Sequence, residues 1–336
     1  MTLAPVAVTP TPRATRAGAG VLALCGLAAL AVASVFVGVA DASPLALLAG
    51  GADSEAALVL FASRIPRTVA VILAGAAMAI AGLIMQMIVR NRFVEPATAG
   101  TGESAALGIL VATLLAPAMP VPGKMAVAAV FALAGTALFL AILRRVPVRQ
   151  IMLVPLVGIM LGGIIGAVTT FIAYRTDLLQ TLGTWMTGDF SGVLRGRYEF
   201  LWIAAAMVVV AWIAADRFSV AGLGEEFTVN LGLNHARVVA LGVTVVAIIT
   251  ASVVVTAGMI PFLGLVVPNI VSLVLGDNVR RSVPWVAVLG AGFILTCDLI
   301  GRLVRFPYEI PLGVVAGTIG AALFLWLLLR KGSRAH

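Results

Sequence analysis

Ten apolar stretches divide this chain, and nearly every charged residue falls in the short connections between them. A hydrocarbon layer about 30 Å thick takes roughly 20 helical residues to cross. Backbone polar groups in lipid must be satisfied within their own segment, so spanning elements of this kind are helices. The chain therefore reads as an all-α polytopic membrane protein with spans over 17–40, 65–89, 97–116, 124–143, 150–173, 199–215, 237–257, 262–275, 284–303 and 311–329. Residues 1–16 read as a disordered Pro/Thr-rich cytoplasmic tail, 17–330 as one ten-helix transmembrane domain, and 331–336 as a second cytoplasmic tail. The first apolar run lacks a clean small-residue cleavage site and reads as a retained span.

Composition narrows the function. With 62% hydrophobic and 11% charged residues, the chain lies far outside the range of a soluble domain. It has no Gly-rich nucleotide loop and little sequence left for an extramembrane module. If nucleotide drives it, the motor is another chain. Cys25 and Cys297 both fall in predicted spans without CxxC spacing, which suits buried packing residues and neither a disulfide nor a metal site. Placing both termini inside puts 14 Lys/Arg in inner segments and 8 in outer ones, the asymmetry expected of cytoplasmic loops. The net charge of +8 is accounted for by anionic lipid head groups and implies no nucleic acid.

The spans are almost free of ionisable residues, whereas ion-coupled carriers keep titratable groups deep in the bilayer. Asp298 is the one acid well inside a span, four residues before Arg302, a spacing that suits a helical ion pair. Glu103 falls within two turns of the cytoplasmic start of its helix, and His235 and His336 lie in a loop and at the terminus. Small residues recur at helical spacing instead: Gly158, Gly162 and Gly166 on one span, and Gly313 and Gly317 on the last. Such spacing lets helices approach closely; it equally suits a smooth, wide path for a bulky solute. The segment from Gly258 through Pro261 and Gly264 to Pro268 and Asn269 requires a bent or short helix, covered by protein or by water.

These residues together resemble the permease subunits of the vitamin B12 and iron-siderophore ABC importers. The resemblance runs over residues 17–330, from Arg64-Ile-Pro-Arg67 through Gly75, Gly82 and Gln86 to Arg90-Asn91 and Pro96. It continues with Gly183-Thr-Trp185-Met-Thr-Gly188, Leu223-Gly224-Glu225-Glu226, Leu231-Gly232, the proline-glycine segment, Asp298 with Arg302, and Pro311-Leu-Gly313. Departures are informative. Asn91-Arg-Phe-Val-Glu95-Pro96 stands where members commonly show Asn-Pro-Leu-Ala, Asn269 follows Pro268 where histidine is common, and Thr228 replaces a frequent alanine. The first of these forms is similar to permeases for catecholate-type ferric siderophores, which turns the expected substrate toward iron chelates.

The resemblance implies a type II ABC importer permease in the bacterial plasma membrane, with no cofactor and no chemistry of its own. Two permeases, identical or homologous, enclose one path; two cytoplasmic ATPases drive it, and an extracytoplasmic binding protein delivers the solute. Arg64, Arg67 and Arg302 would dock acidic residues of that binding protein, a role for which arginine's planar fork is suited, although outer-end arginines also anchor helices at head groups. Gly224, Glu225, Glu226, Leu231 and Gly232 would form the short helix that couples to the ATPase, with its acids favouring the N-terminal turn. The connection Arg144-Arg-Val-Pro147-Val-Arg149 lies where relatives narrow an inner gate. A vitamin B12 or haem permease and an ion-coupled secondary carrier remain as alternatives, as does a non-transporting membrane scaffold.

Overall fold

The computed structural model describes residues 13–38, 55–145, 152–276 and 278–332. Among these the chain is helical, in the order α1 (Arg13–Phe36), α2 (Glu55–Val59), a π-turn (Leu60–Arg64), α3 (Ile65–Val89), α4 (Thr101–Leu115) and α5 (Val121–Leu143). Then come α6 (Leu153–Arg175), α7 (Leu179–Met186), α8 (Leu201–Ile213), α9 (Ala215–Ala221), α10 (Glu225–Asn230), α11 (His235–Ala257), α12 (Leu263–Leu275), α13 (Val279–Leu303) and α14 (Leu312–Gly332).

Every predicted span coincides with a helix. Seven are long and apolar enough to cross a membrane alone, α8 joins α9 through a 64° bend, and α4 and α12 are shorter apolar helices. The boundaries follow local chemistry. Pro66 sits at the second position of α3, where the π-turn of Leu60–Arg64 passes into α-helix. Asn234 and Asn278 cap α11 and α13 by accepting from the amides of Arg237 and Arg281, each at 3.0 Å. Helix α1 begins at Arg13 and α14 carries on to Gly332, each a few residues beyond the span read from apolar length. Residues 1–12 and 333–336, and most of the predicted gate connection with Pro147 and Arg149, lie outside the described residues.

Helix α3 is the hub. It is largely buried and packs against α8, α11, α12 and α13. Glycine makes these contacts close: a Cβ at Gly82 would lie 2.1 Å from the carbonyl oxygen of Gly264 on α12, and one at Gly75 would lie 2.7 Å from that of Gly290 on α13. Here backbone meets backbone, as small-residue interfaces in membranes permit.

The proline-glycine segment breaks the chain between α11 and α12 as expected. Pro268 has no N–H to reach the carbonyl four residues back, and the Gln86 amide on α3 donates to that Gly264 oxygen instead, at 3.0 Å. The Asn269 side chain donates to Leu265 O and to Arg92 O, at 2.7 and 2.8 Å. Protein thus covers the irregular backbone.

Helix α1 is the opposite case. It lies against α13 and α3 but is exposed along most of its length. Its Cys25 is exposed, which corrects the expectation of a buried packing residue; Cys297 on α13 is buried.

Candidate functional site

At the predicted outer end, where α3 begins and α13 ends, the three arginines singled out above converge, but they turn inward. Asp298, 1% exposed, accepts from Arg67 Nη2 at 2.8 Å and from Arg302 Nη2. Arg67 Nη1 also donates to Glu309 Oε2 at 2.7 Å. Arg302 Nη1 reaches Ser34 O at 2.8 Å, and Nη2 reaches Ser34 Oγ at 3.0 Å. Arg64 Nη1 donates to Val35 O at 3.3 Å. The network ties the end of α1 to α3, α13 and the loop before α14. It leaves Arg64 and Arg302 only 7% and 4% exposed, which corrects the expectation that their forks face outward. The (i, i+4) pair of Asp298 with Arg302 is present, and Arg67 shares the same carboxylate. Nearby at this end Arg195, Arg197 and Arg305 are exposed; the sequence reading did not select them.

At the opposite end α10 is a six-residue helix bracketed by Gly224 and Gly232, whose φ angles are +116° and +78°. Those angles favour glycine because it has no Cβ. Glu225 and Glu226 occupy its first turn. Thr228 is fully buried; its hydroxyl donates to Gly224 O at the start of the same helix, at 2.6 Å, and stands 3.3 Å from Val220 O on α9. Leu223, Phe227, Val229 and Leu231 are all exposed. Exposed apolar residues grouped on an aqueous loop mark an interaction surface. Of these four only Leu231 was selected beforehand; apolar residues recurring inside a polar connection were the available signal.

The glycines differ in what stands opposite them. A Cβ on Gly158 would lie 2.0 Å from Thr98 O, and one on Gly313 would lie 2.7 Å from Gly188 N, so both serve close packing. At Gly162 the nearest atoms are the Glu103 carboxyl carbon and Gly100 Cα, both at 3.4 Å; at Gly317 the nearest is Pro261 Cγ at 3.3 Å; at Gly166 it is Glu103 Cγ at 3.9 Å. Gly162 also lines a cavity of about 460 Å³ together with Phe93, Glu95, Glu103, Phe262 and Phe324. The cavity lies between α6 and α14, beside the segment that re-enters after α3.

Residues 21–330 match the FecCD transport family. The chain belongs to that family. It is 50% identical over 306 residues to the petrobactin import system permease protein YclN of Bacillus subtilis, covering 91% of this chain and 96% of that protein. It is 42% identical to the ferric-anguibactin transport system permease protein FatD of Vibrio anguillarum, over 84% and 90% of the two chains. The vitamin B12 import system permease protein BtuC of Serratia proteamaculans shares 34% identity over 91% and 92%. A solved inward-facing structure of a metal-chelate type ABC transporter has the same fold, with TM-score 0.78 and 23% identity over 93% of this chain and 99% of that one. As a FecCD family member the chain is a multi-pass transport subunit and not an enzyme, and its family works with an ATPase and a partner permease.

Proposed function

We propose that this chain passes a ferric siderophore inward by alternating access, powered by ATP hydrolysis on partner subunits. The observation that carries the substrate class is 50% identity, across nearly the whole chain, to a permease named for petrobactin import. The vitamin B12 permease relatives stand at lower identity. Two such permeases enclose the path, two ATPases sit beneath it, and a binding protein loads it from outside. Both termini are cytoplasmic on the arginine asymmetry.

The residues take roles consistent with this assembly. The loop around α10 presents Glu225, Glu226 and four exposed apolar side chains to the ATPase. At the other end Arg195, Arg197 and Arg305 offer permanent positive charge to an acidic binding protein. The buried cluster of Arg64, Arg67 and Arg302 holds that face in shape. The path side is the α6–α14 face. Glu95 and Glu103 stand in the wall of its cavity, and carboxylates at membrane depth require protein or water over them. Gly162, Gly166 and Gly317 keep that face low, while Gly158 and Gly313 set the helices behind it.

Complementation tests the substrate class. A strain lacking its own siderophore permease, given this chain with its ATPase and binding protein, should regain growth on ferric petrobactin as sole iron source. Restoration of vitamin B12-dependent growth, without growth on the iron chelate, would overturn the assignment.

A further inference from the structure

The cavity between α6 and α14 combines features that the transport reading does not require. Its volume is about 460 Å³, and its wall is largely apolar, with three phenylalanines, Phe93, Phe262 and Phe324. Phe93 and Phe324 meet edge to face, their centroids 5.9 Å apart. Two acidic residues, Glu95 and Glu103, belong to the same wall.

The two acids are held differently. Glu95, 3% exposed, accepts from the Phe262 amide at 2.9 Å, with the amides of Gly264 and Leu265 in the same cradle at the start of α12. It is fixed in place and braces Phe262, whose φ of +63° is uncommon for a bulky residue. Glu103 has no such cradle. Its Oε2 is buried and has no hydrogen-bond partner among the described residues. Gly162 opposite leaves its carboxyl group room, 3.4 Å from where a Cβ would stand.

A buried carboxylate oxygen without a partner is costly. Aromatic faces and carboxylates share one complement, an organic cation, which gains from both ring quadrupole and charge. We infer that this cavity recognises a protonated amine carried by the transported chelate, with Glu103 as its counter-charge and the phenylalanines as its walls. The inference rests on the transport reading above and adds a substrate feature that the permease itself selects. The anionic iron centre needs no ligand here; the amine arm supplies the grip.

The test uses the complete importer in proteoliposomes with its loaded binding protein. Two ferric chelates are compared: a catecholate ligand bearing secondary amines, and the same ligand with those amines acetylated. Because the binding protein is common to every arm, any change in the ratio of their uptake rates between permease variants belongs to the permease. The wild type should favour the amine form about tenfold, and Glu103→Gln should bring the ratio close to one. Glu103→Asp should restore much of the preference, and Phe324→Leu should lower it, which guards against a Glu103→Gln protein that fails to assemble. An unchanged ratio in Glu103→Gln and Phe324→Leu, or an equal loss of both substrates in every variant, overturns the inference while leaving iron-chelate import standing. Failure of the wild type to carry either chelate would overturn the transport reading itself, and this inference with it.

Discussion

Asp298 shows how little a residue's depth says about its partners. Its distance from Arg302 was legible, because four residues on a helix place two side chains on one face. That Arg67 on α3 would reach the same carboxylate was not, since it depends on how α3 lies against α13. Arginines at span ends read naturally as outward-facing, yet here they close around Asp298, Glu309 and Ser34. Removing the central charge should therefore matter to stability before it matters to docking. Asp298→Asn leaves the buried Arg302 guanidinium without a counter-charge and Arg67 with Glu309 alone, a change of the kind that costs about 3–5 kcal/mol. The melting temperature of the detergent-solubilised permease should fall clearly, by much more than for Arg305→Gln at the exposed rim. Equal melting of the two variants would show that the cluster does not hold α1, α3 and α13 together.

At the scale of elements, spans were the most legible feature and their mutual arrangement the least. Apolar length placed all ten helices, and Pro66, Pro261 and Pro268 marked one start and one break. The repair of that break was hidden: Gln86 and Gly264 are far apart in sequence and meet only because Gly82 lets α3 and α12 touch. In the loop around α10 the paired glycines and acids are legible in the sequence, but its exposed apolar surface is not, because apolar residues in a short connection carry no period that says which way they face. That surface yields a sharper test than the acids do. Phe227→Ser removes an exposed apolar side chain, and truncating one of the few anchor residues that carry an interface costs more than about 1 kcal/mol, or roughly fivefold in affinity. Capture of the ATPase by the purified permease should drop by at least that factor with no change in melting. Undiminished capture would remove α10 from the contact.

Across the whole molecule, the family and its transport role were readable because several weak motifs keep their order from Arg64 to Gly313. The path was readable only as glycine spacing, which packing explains equally well. The glycines differ in what each faces, which makes the two roles separable by substitution. Gly162→Leu would push a side chain toward Glu103 and into the cavity, and Gly317→Leu would press on Pro261 at the same break. Overpacking alone costs about 1–3 kcal/mol and would lower melting in step with activity. The account predicts instead that Gly162→Leu abolishes iron-chelate uptake in a complex that assembles and melts close to the wild type. Retained uptake in that variant, or loss only in proportion to unfolding, would move the path to another face of the molecule.

On the proposed function, ATP hydrolysed on a partner drives this chain and an ion gradient does not. The most direct measurement is uptake of a radiolabelled ferric siderophore into proteoliposomes holding the permease, its ATPase and loaded binding protein, with ionophores present or absent. Uptake should require hydrolysable ATP, persist when ionophores collapse every gradient, and disappear when the ATPase carries an inactive nucleotide site. Uptake by the permease alone, supported by a proton or sodium gradient and abolished by ionophores, would contradict it.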